Sequence, residues 1–298
     1  MRNLKLKIAD YNIRFETSAR GPDLAVAKRF LTSFSNGSKY DINIKVHRGE
    51  YNPDTNAIKV FHAPFVEEID GKLVQNNPNF WSVWQYNSDL YLKTIFPLSA
   101  VGKKAVLKLS LAQKEWNLWI DTDEKEVDPF EYPLDGLILY YLTVINNDIM
   151  IHASGVSNDG EGYLFTGISG KGKSTIANLW EAYGAKVIHD DRLIIRKEGG
   201  SYRMYNTPVY DNDYPLDAPL SKIFAIEHGS ENSMIPLKEA ASVSQIMANC
   251  IQHTWDTRIV GNLLASVSEM CRAIPVYKLQ FRPGRGVIDY ILNKDEHS

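Results

Sequence analysis

The chain has 298 residues and a net charge of -3 at pH 7, and 44% of its residues are hydrophobic while 23% are charged. This composition is typical of a globular protein with a sizeable core, and it excludes extended disorder and a basic field that would attract nucleic acid or an anionic membrane. No apolar run approaches the length of about 18 residues that a membrane span requires. The first eight residues alternate polar and apolar, unlike a signal peptide, and the two cysteines, Cys250 and Cys271, lack zinc-type spacing. We therefore expect a cytoplasmic protein with two buried thiols and with no nucleic-acid or membrane partner.

The first 130 residues are predicted to be rich in β-structure. Alternating apolar and polar residues indicate strands at 4–15, 42–47, 57–61, 90–97, 105–111 and 116–120. One helix is expected at 22–34. The acidic stretch 121–129 breaks the pattern as a solvated connector, so we place a domain boundary near residue 130. The prediction is a β-rich N-terminal domain, 1–130, followed by a second domain, 131–298.

Four tryptophans of the first half alternate with polar residues: Trp81, Trp84, Trp116 and Trp119. A flat aromatic surface of this kind can serve as a platform for a ligand, but aromatic side chains in strands more often pack in the core. Core packing is therefore the favoured interpretation of this group.

Helices and strands alternate in the second half of the chain. The predicted elements are a helix at 133–146, strands at 148–156 and 162–166, a helix at 174–180, a strand at 185–189, a hairpin at 193–205, a strand at 221–227, helices at 237–252 and 258–273, a strand at 276–281 and a last short helix. The hairpin strands are joined by Gly199-Gly200, and strands joined so tightly are antiparallel. We therefore expect an α/β fold with a mixed sheet.

Residues 167–175 match the phosphate-loop pattern GxxxxGK(S/T), also called Walker A, and they lie between a predicted strand and a predicted helix, as the motif requires. The glycines let backbone amides face phosphate oxygens, and the helix N-terminus adds its dipole. Lys173 is suited to contact the β- and γ-phosphates, and the Ser174 hydroxyl to bind Mg²⁺. The sequence thus predicts ATP and Mg²⁺ as cofactors. The expected nucleotide-binding residues are Gly167, Ser169, Gly170, Lys171, Gly172, Lys173, Ser174 and Thr175.

An acidic pair, Asp190-Asp191, directly follows the strand predicted at 185–189. Ligands bind at the carboxyl ends of strands in open α/β sheets. One carboxylate can hold Mg²⁺ while its neighbour accepts the proton of an attacking hydroxyl. Both can reach the nucleotide only if the strand has ended before them, because adjacent residues of a strand point to opposite faces. Either residue is a candidate for either role.

His152 lies in the strand predicted at 148–156, where a satisfied core histidine is the common interpretation. Its context changes this interpretation. The segment His-Ala-Ser-Gly-Val at 152–156, then strand, phosphate loop, helix, Gly184, strand and the acidic pair resembles the catalytic domain of HPr serine kinase/phosphorylase. Phosphoenolpyruvate carboxykinase shares the loop style and a similar acidic pair. The resemblance covers residues 148–225.

The resemblance implies a P-loop kinase domain of the HPr kinase/phosphoenolpyruvate carboxykinase type, preceded by the β-rich domain. It implies that residues 167–175 bind the triphosphate and that Lys173 takes part in catalysis. It also implies that Ser174 and Asp190 lie near Mg²⁺, that Asp190 or Asp191 is the general base, and that His152 lies beside the acceptor.

The chain departs from the bifunctional family. It has no counterpart of the Glu-Ile-Arg-Gly-Leu-Gly type segment that follows the acidic pair in HPr kinases that also dephosphorylate, so neither phosphorylase activity nor HPr as substrate is expected. Residues 206–210 are similar to the Gly-Thr-Pro-Trp type segment of shorter HPr-kinase-like proteins. These features favour a serine kinase acting on a protein or peptide, with the β-rich half recognising the acceptor or forming a homo-oligomer interface. A P-loop ATPase or nucleotide-dependent switch, and a binding module without a phosphoacceptor, stay open as alternatives.

Overall fold

The chain forms two compact units in a computed structural model that describes residues 2–69, 72–98 and 102–295. The N-terminal unit comprises residues 1–145 and 208–214, and the C-terminal unit comprises 146–207 and 215–298. Each unit contains one large mixed sheet among its described residues, so the expectation of a mixed α/β fold is confirmed. The domain boundary near residue 130 stays a prediction, and the observed compact units divide at residues 145 and 146.

The N-terminal unit is built on a sheet of eight strands, counted over the described residues. Its elements are β1 (Asn3–Ile8), β2 (Tyr11–Thr17), β3 (Asp23–Leu24), β4 (Ile42–Arg48), β5 (Ile58–Ile69), β6 (Lys72–Tyr86), β7 (Asp89–Ile95), β8 (Lys104–Leu109), β9 (Glu115–Asp121), β10 (Glu126–Val127) and α1 (Leu134–Asn146). The sheet order is β1-β2-β4-β9-β8-β7-β6-β5, while β3 and β10 pair separately. β4 is parallel to both of its neighbours, and the other pairs of the large sheet are antiparallel.

Two of the secondary-structure predictions for this unit are wrong. Residues 4–15 form two strands, because Ala9 and Asp10 adopt positive φ values of 49° and 62° and turn the chain into the β1–β2 hairpin. Residues 22–34 contain the short strand β3 and a 3-10 helix at Lys28–Ser33 in place of an α-helix. The backbone amide of Ala27 donates to the Asp128 carboxylate at 2.9 Å, a contact between residues 101 positions apart that local periodicity does not report.

Asp128 predicts a pH-dependent stability. Its carboxylate accepts hydrogen bonds from the amides of Ala27 (2.9 Å) and Phe130 (2.8 Å), yet burial raises its pKa to about 6. A pKa raised in the folded state means that stability is fully present below about pH 4 and is lost as pH rises through 6, by about 3 kcal/mol for a shift of this size. We expect the stability of Asp128→Asn, relative to wild type, to rise by up to this amount between pH 4 and 7.

Urea unfolding at several pH values measures this difference. The substitution also exchanges one hydrogen-bond acceptor for a donor, so we expect the variant to be less stable than wild type at pH 4 by about 1 kcal/mol. Asp123→Asn, at an exposed position nearby, is the control and should follow wild type. A difference between Asp128→Asn and wild type that does not change with pH would contradict the assignment.

The C-terminal unit contains the second sheet, also of eight strands within the described residues. Its elements are β11 (Ile149–Asn158), β12 (Glu161–Thr166), α2 (Lys173–Tyr183), β13 (Lys186–Glu198), β14 (Ser201–Asn206), β15 (Asp217–Pro219), β16 (Lys222–His228), β17 (Ser233–Leu237), α3 (Glu239–Met247), α4 (Thr257–Ala273), β18 (Val276–Phe281) and α5 (Gly286–Asp295). The order is β15-β14-β13-β11-β12-β16-β18-β17. β12, β16 and β18 run parallel and the other pairs antiparallel, which confirms the predicted mixed sheet.

Helices cover both faces of this sheet. Leu164 packs in a cluster with residues of α3 and α4, whereas its neighbours Tyr163 and Phe165 pack with residues of α2 and α5. This division follows from the alternation of side chains along β12. Trp180 of α2 is fully buried and stacks on Tyr163 with ring centroids 5.1 Å apart. This packing holds the N-terminus of α2 at the end of β12.

The helix predicted at 237–252 is shorter than expected, because its last residues join the sheet. The amide of His152 donates to the carbonyl of Asn249 at 3.0 Å, and the amide of Ile251 donates to that of Met150 at 2.8 Å. Cys250, between them, is buried as predicted, and burial raises the pKa of its thiol to about 12. Cys271 in α4 is only partly buried.

Candidate active site

The glycine-rich segment joins β12 to α2, as the motif requires. Gly170 and Gly172 adopt positive φ values of 80° and 92°, a region that side chains with a Cβ rarely enter. Gly172 is the residue before α2, and Gly184 with φ 109° ends the helix by donating to the carbonyl of Glu181 at 2.9 Å. The predicted strand, loop, helix and glycine cap are therefore all present.

Lys173 points back into this loop. Its ammonium donates to the carbonyls of Gly167 at 2.8 Å and Ile168 at 3.5 Å. Burial lowers the pKa of Lys173, while the charges of Asp190 and Asp191 act in the opposite direction. The ammonium and both carboxylates thus interact electrostatically, although they come from different elements.

The remaining loop residues predicted to bind nucleotide are open to solvent. Ser169 and Gly170 are exposed, as are Ser174 and Thr175 in the first turn of α2, and Lys171 is partly exposed. Amides at the start of a helix have no intrahelical acceptor, so this turn is suited to bind an anion.

His228 is a loop contact that the sequence analysis missed. It ends β16, which runs parallel to β12, and its Nε2 lies 2.9 Å from the carbonyl oxygen of Gly170. Because a carbonyl only accepts, the imidazole donates in this bond. A Cβ on Gly172 would lie 3.0 Å from Phe281 Cζ and 3.4 Å from His228 Cε1. The sequence signal that could have identified His228 is its position at the carboxyl end of a parallel strand, where ligands bind in open α/β sheets.

The prediction that a strand ends before Asp190 is wrong. β13 continues from Lys186 to Glu198, because it pairs with β11 on one side and forms the predicted hairpin with β14 on the other. In the pairing of β13 with β11, Asp190 lies opposite Ser154 and Asp191 lies opposite Ala153. The register shifts next to this point, between Gly155 and Val156, and such irregularities increase the local twist of a sheet.

The two aspartates have different partners. Asp190 accepts a hydrogen bond from the Ser154 hydroxyl. Asp191 lies 3.2 Å from Nδ1 of His152. The hydrogen bond with His152 is the main reason that the pKa of Asp191 is lowered, and burial opposes it. Asp191 is therefore a carboxylate paired with an imidazole, whereas Asp190 is a carboxylate paired with a hydroxyl.

His152 is not a buried core residue. Its side chain is 48% exposed, and its carbonyl accepts a hydrogen bond from the Thr166 hydroxyl at 3.2 Å. The backbone is thus held by the sheet while the imidazole faces Asp191. This geometry rules out the interpretation as a core histidine.

The segment at 206–210 begins next to the acidic pair. The Thr207 hydroxyl is fully buried and donates to the carbonyl of Arg192 at 2.9 Å, while Nε of Arg192 donates to Thr207 at 3.1 Å. The side-chain oxygen of Asn206 accepts a hydrogen bond from the amide of Leu216 at 2.9 Å. Thr207 therefore positions the residue that directly follows Asp191.

The oxygen donors fit a hard cation that arrives with phosphates. Within the described residues, no group of three or more histidine, cysteine, aspartate or glutamate side chains could hold a metal by itself. Mg²⁺ is usually held by one or two carboxylates together with substrate phosphates and water. The Ser174 hydroxyl and the Asp190 carboxylate are donors of this kind.

These features define a mixed α/β unit whose glycine-rich loop, lysine and paired carboxylates suit a phosphate-bearing ligand. No protein-family model matches the chain, and no curated protein matches it. Among solved structures, the chain is similar to the HPr(Ser) kinase/phosphatase from Coxiella burnetii, with a TM-score of 0.30 and 15% identity, over 50% of this chain and 93% of that chain. A match this weak indicates at most a distant structural relationship.

Among the helices in the described part of the chain, none combines the length and the apolar character that a membrane span needs.

Gly172 provides a test of the loop geometry. An alanine there adopts a strained φ, which costs about 1 kcal/mol, and its Cβ meets Phe281 and His228. Gly184→Ala is the matched control, because it has the same strain at φ 109° but open space around its Cβ. We expect both variants to lose stability in urea unfolding. Only Gly172→Ala should bind a fluorescent ATP analogue more weakly, by about tenfold or more, since a loss of about 1.4 kcal/mol corresponds to that factor. Equal binding by the two variants would argue against this loop as the phosphate site.

Proposed function

We propose that this chain is an ATP-dependent kinase that transfers the γ-phosphate to a hydroxyl, with a serine of a protein or peptide as the acceptor. The observation that supports the proposal is that Lys173 lies inside a glycine-rich loop at a helix N-terminus, where it donates to the carbonyl of Gly167 at 2.8 Å. The charges of Asp190 and Asp191 raise the pKa of this lysine, against the effect of burial. A phosphate-binding loop beside a pair of acids meets the two needs of phosphoryl transfer, which are charge stabilisation and orientation of the nucleophile.

The loop supplies the nucleotide site. Backbone amides in the first turn of α2, which have no intrahelical acceptor, bind the phosphates in this proposal. Lys173 exchanges its bonds to the Gly167 and Ile168 carbonyls for bonds to phosphate oxygens. His228 donates a hydrogen bond to the Gly170 carbonyl and thereby stabilises the shape of the loop. Ser174 and Asp190 would hold Mg²⁺, which offsets the negative charge of the phosphates when it is bound.

Asp191 is the proposed general base. It accepts the proton of the acceptor hydroxyl while that oxygen attacks the γ-phosphorus, and the bond from phosphorus to the β–γ bridging oxygen breaks to release ADP. Its lowered pKa keeps it ionised at neutral pH, and His152 orients it through the contact at 3.2 Å. Asp190 is the alternative base. Its bond to Ser154 favours a metal-directed role, because a carboxylate has further lone pairs for the cation.

One observation favours an ATPase or nucleotide-dependent switch as the second candidate. Ile168 is 63% exposed, and Ser169, Ser174 and Thr175 are also exposed, so water can reach the loop. A nucleotide held in an open loop can lose its γ-phosphate to water when no acceptor is present.

Transfer of labelled γ-phosphate from ATP with Mg²⁺ distinguishes the two candidates. The reaction is run with HPr, with candidate peptides and with no acceptor. A kinase places the label on a serine of one acceptor, and its rate depends on that acceptor. Release of free phosphate at the same rate in every reaction would reject the kinase proposal and favour the ATPase.

A further inference from the structure

A pocket of about 270 Å³ lies on the N-terminal sheet, on the face opposite its apolar core. The strand register brings Ser82, Lys93, Val106 and Trp119 side by side across β6, β7, β8 and β9. Their chain neighbours Val83, Leu92, Leu107 and Leu118 are buried. The alternation of side chains along each strand therefore directs the first set of residues to the pocket and the second set to the core.

The walls of the pocket are flat and aromatic. The Tyr51 ring stacks on Trp119 with centroids 3.9 Å apart and planes at 17°. The indole N–H of Trp84 donates to the Ser82 hydroxyl at 3.0 Å, which fixes the ring. Both tryptophans are partly exposed, whereas Trp116 of β9 is fully buried. Core packing is therefore the correct interpretation for Trp116 but not for Trp84 and Trp119.

The pocket also carries an excess of positive charge. Lys59 and Lys93 place their ammonium groups 5.4 Å and 4.9 Å from the centroid of the Trp84 ring. Lys104 binds two acids, Glu50 at 2.9 Å and Asp121 at 3.4 Å. Three lysines thus face two acids among the lining residues.

Lys59 and Lys104 both repel the charge of Lys93. Burial is the main cause that lowers the pKa of Lys93. The charge of Glu50, the partner of Lys104, raises this pKa, and the charges of Lys104 and Lys59 lower it by smaller effects. An anion placed between Lys59 and Lys93 relieves this repulsion. The charge of the site is therefore complementary to a carboxylate, and its rings are complementary to an apolar group.

We propose that this pocket binds an acidic peptide segment in which a carboxylate stands next to an aromatic or aliphatic side chain. Ligand pockets for drug-sized molecules span about 300–1,000 Å³. A cavity of about 270 Å³ falls below that range and suits one or two side chains presented by a chain. The inference does not depend on the proposed kinase activity, because the pocket belongs to the N-terminal unit and its binding needs no nucleotide.

The test uses a fluorescently labelled acetyl-Gly-Glu-Phe-Glu-Gly-amide and the full chain without nucleotide. We expect saturable binding by fluorescence anisotropy that weakens as salt is raised, together with a change in tryptophan emission that Trp84→Phe reduces. The double variant Lys59→Gln/Lys93→Gln should bind about tenfold more weakly, since two partly exposed charge pairs are lost. Lys39→Gln removes one charge at an exposed position outside the lining residues and should bind like wild type.

Four results would overturn the proposal. These are no saturable binding by wild type up to 1 mM peptide, equal affinity for the peptide with Gln in place of both Glu residues, an affinity unaffected by salt, and an unchanged affinity of the double variant. Phenylpropionate that binds as tightly as the peptide would show instead that the pocket takes a free carboxylate. The salt series on wild type needs no variant, so it decides the matter even if the double variant does not fold.

Discussion

Lys173→Ala is expected to abolish phosphoryl transfer. The variant lacks the cation that is proposed to contact the β- and γ-phosphates, and removing a cation at the transferred group lowers phosphoryl-transfer rates by a factor on the order of 10³ or more. The hydrogen bonds of this ammonium go to the Gly167 and Ile168 carbonyls of its own loop. Losing these bonds is expected to lower the unfolding free energy by about 1 kcal/mol, the net value of a typical hydrogen bond.

The measurement compares labelled-phosphate transfer, nucleotide affinity and urea unfolding in wild type, Lys173→Ala and Lys186→Ala. Lys186→Ala is the control, since it removes an exposed lysine at the start of β13. If transfer is lost while the unfolding free energy falls by no more than about 1 kcal/mol, the effect of Lys173 lies in the site and not in the stability of the fold. If Lys173→Ala kept more than a tenth of the wild-type rate, the loop would not be the site of chemistry.

Asp191→Asn is expected to bind nucleotide like wild type and to lose the chemical step. Asparagine keeps the shape of the side chain and an oxygen that can face His152, but it does not accept a proton. Loss of a general base lowers the rate by about 10²–10⁴-fold. Asp190→Asn should differ from it, because losing the carboxylate that is proposed to hold Mg²⁺ should raise the Mg²⁺ concentration needed for half-maximal rate.

Single-turnover transfer at saturating ATP, together with a Mg²⁺ titration, separates these roles. Asp159→Asn, in the exposed turn after β11, is the control for loss of one acidic charge. Wild-type turnover in Asp191→Asn would remove that residue from the role of base. A raised Mg²⁺ requirement in Asp191→Asn but not in Asp190→Asn would exchange the two assignments.

The pH profile adds an independent check on Asp191. The hydrogen bond with His152 is the main cause that lowers the pKa of this carboxyl, so its removal in His152→Ala raises that pKa. A general base cannot accept a proton once it is protonated. Because the higher pKa means that Asp191 becomes protonated at a higher pH, the acid limb of the rate profile should move to higher pH in His152→Ala. An acid limb at the same pH in both proteins would contradict the proposed partnership.

Local signals predicted much of the C-terminal unit. The strand at 276–281 coincides with β18, and the helix at 258–273 differs from α4 by one residue at its start. The hairpin of β13 and β14 turns at Gly199-Gly200, as expected. In each case periodicity and turn chemistry within one short stretch decide the element, and both are visible in the sequence.

Long-range contacts explain where prediction was wrong. The segment at 22–34 has helical periodicity, but the amide of Ala27 is bound by Asp128. The segment at 237–252 loses its last turn to β11, because Asn249 and Ile251 pair with that strand. The break predicted before Asp190 does not occur, because β11 pairs with β13 through Asp190 and Asp191 and holds it in extended form. Each outcome depends on a partner distant in the chain.

By itself, the sequence determined the glycine-rich loop between a strand and a helix, with its lysine, because these features follow from residue types within about 20 consecutive positions and from the backbone freedom of glycine. The tertiary structure decided which partner each carboxylate takes, that His228 supports the loop, and that Trp84 and Trp119 form a pocket with Lys59 and Lys93. The physical reason is strand register. It sets which side chains of remote segments become neighbours, and it results from the packing of the whole sheet rather than from any one stretch of residues.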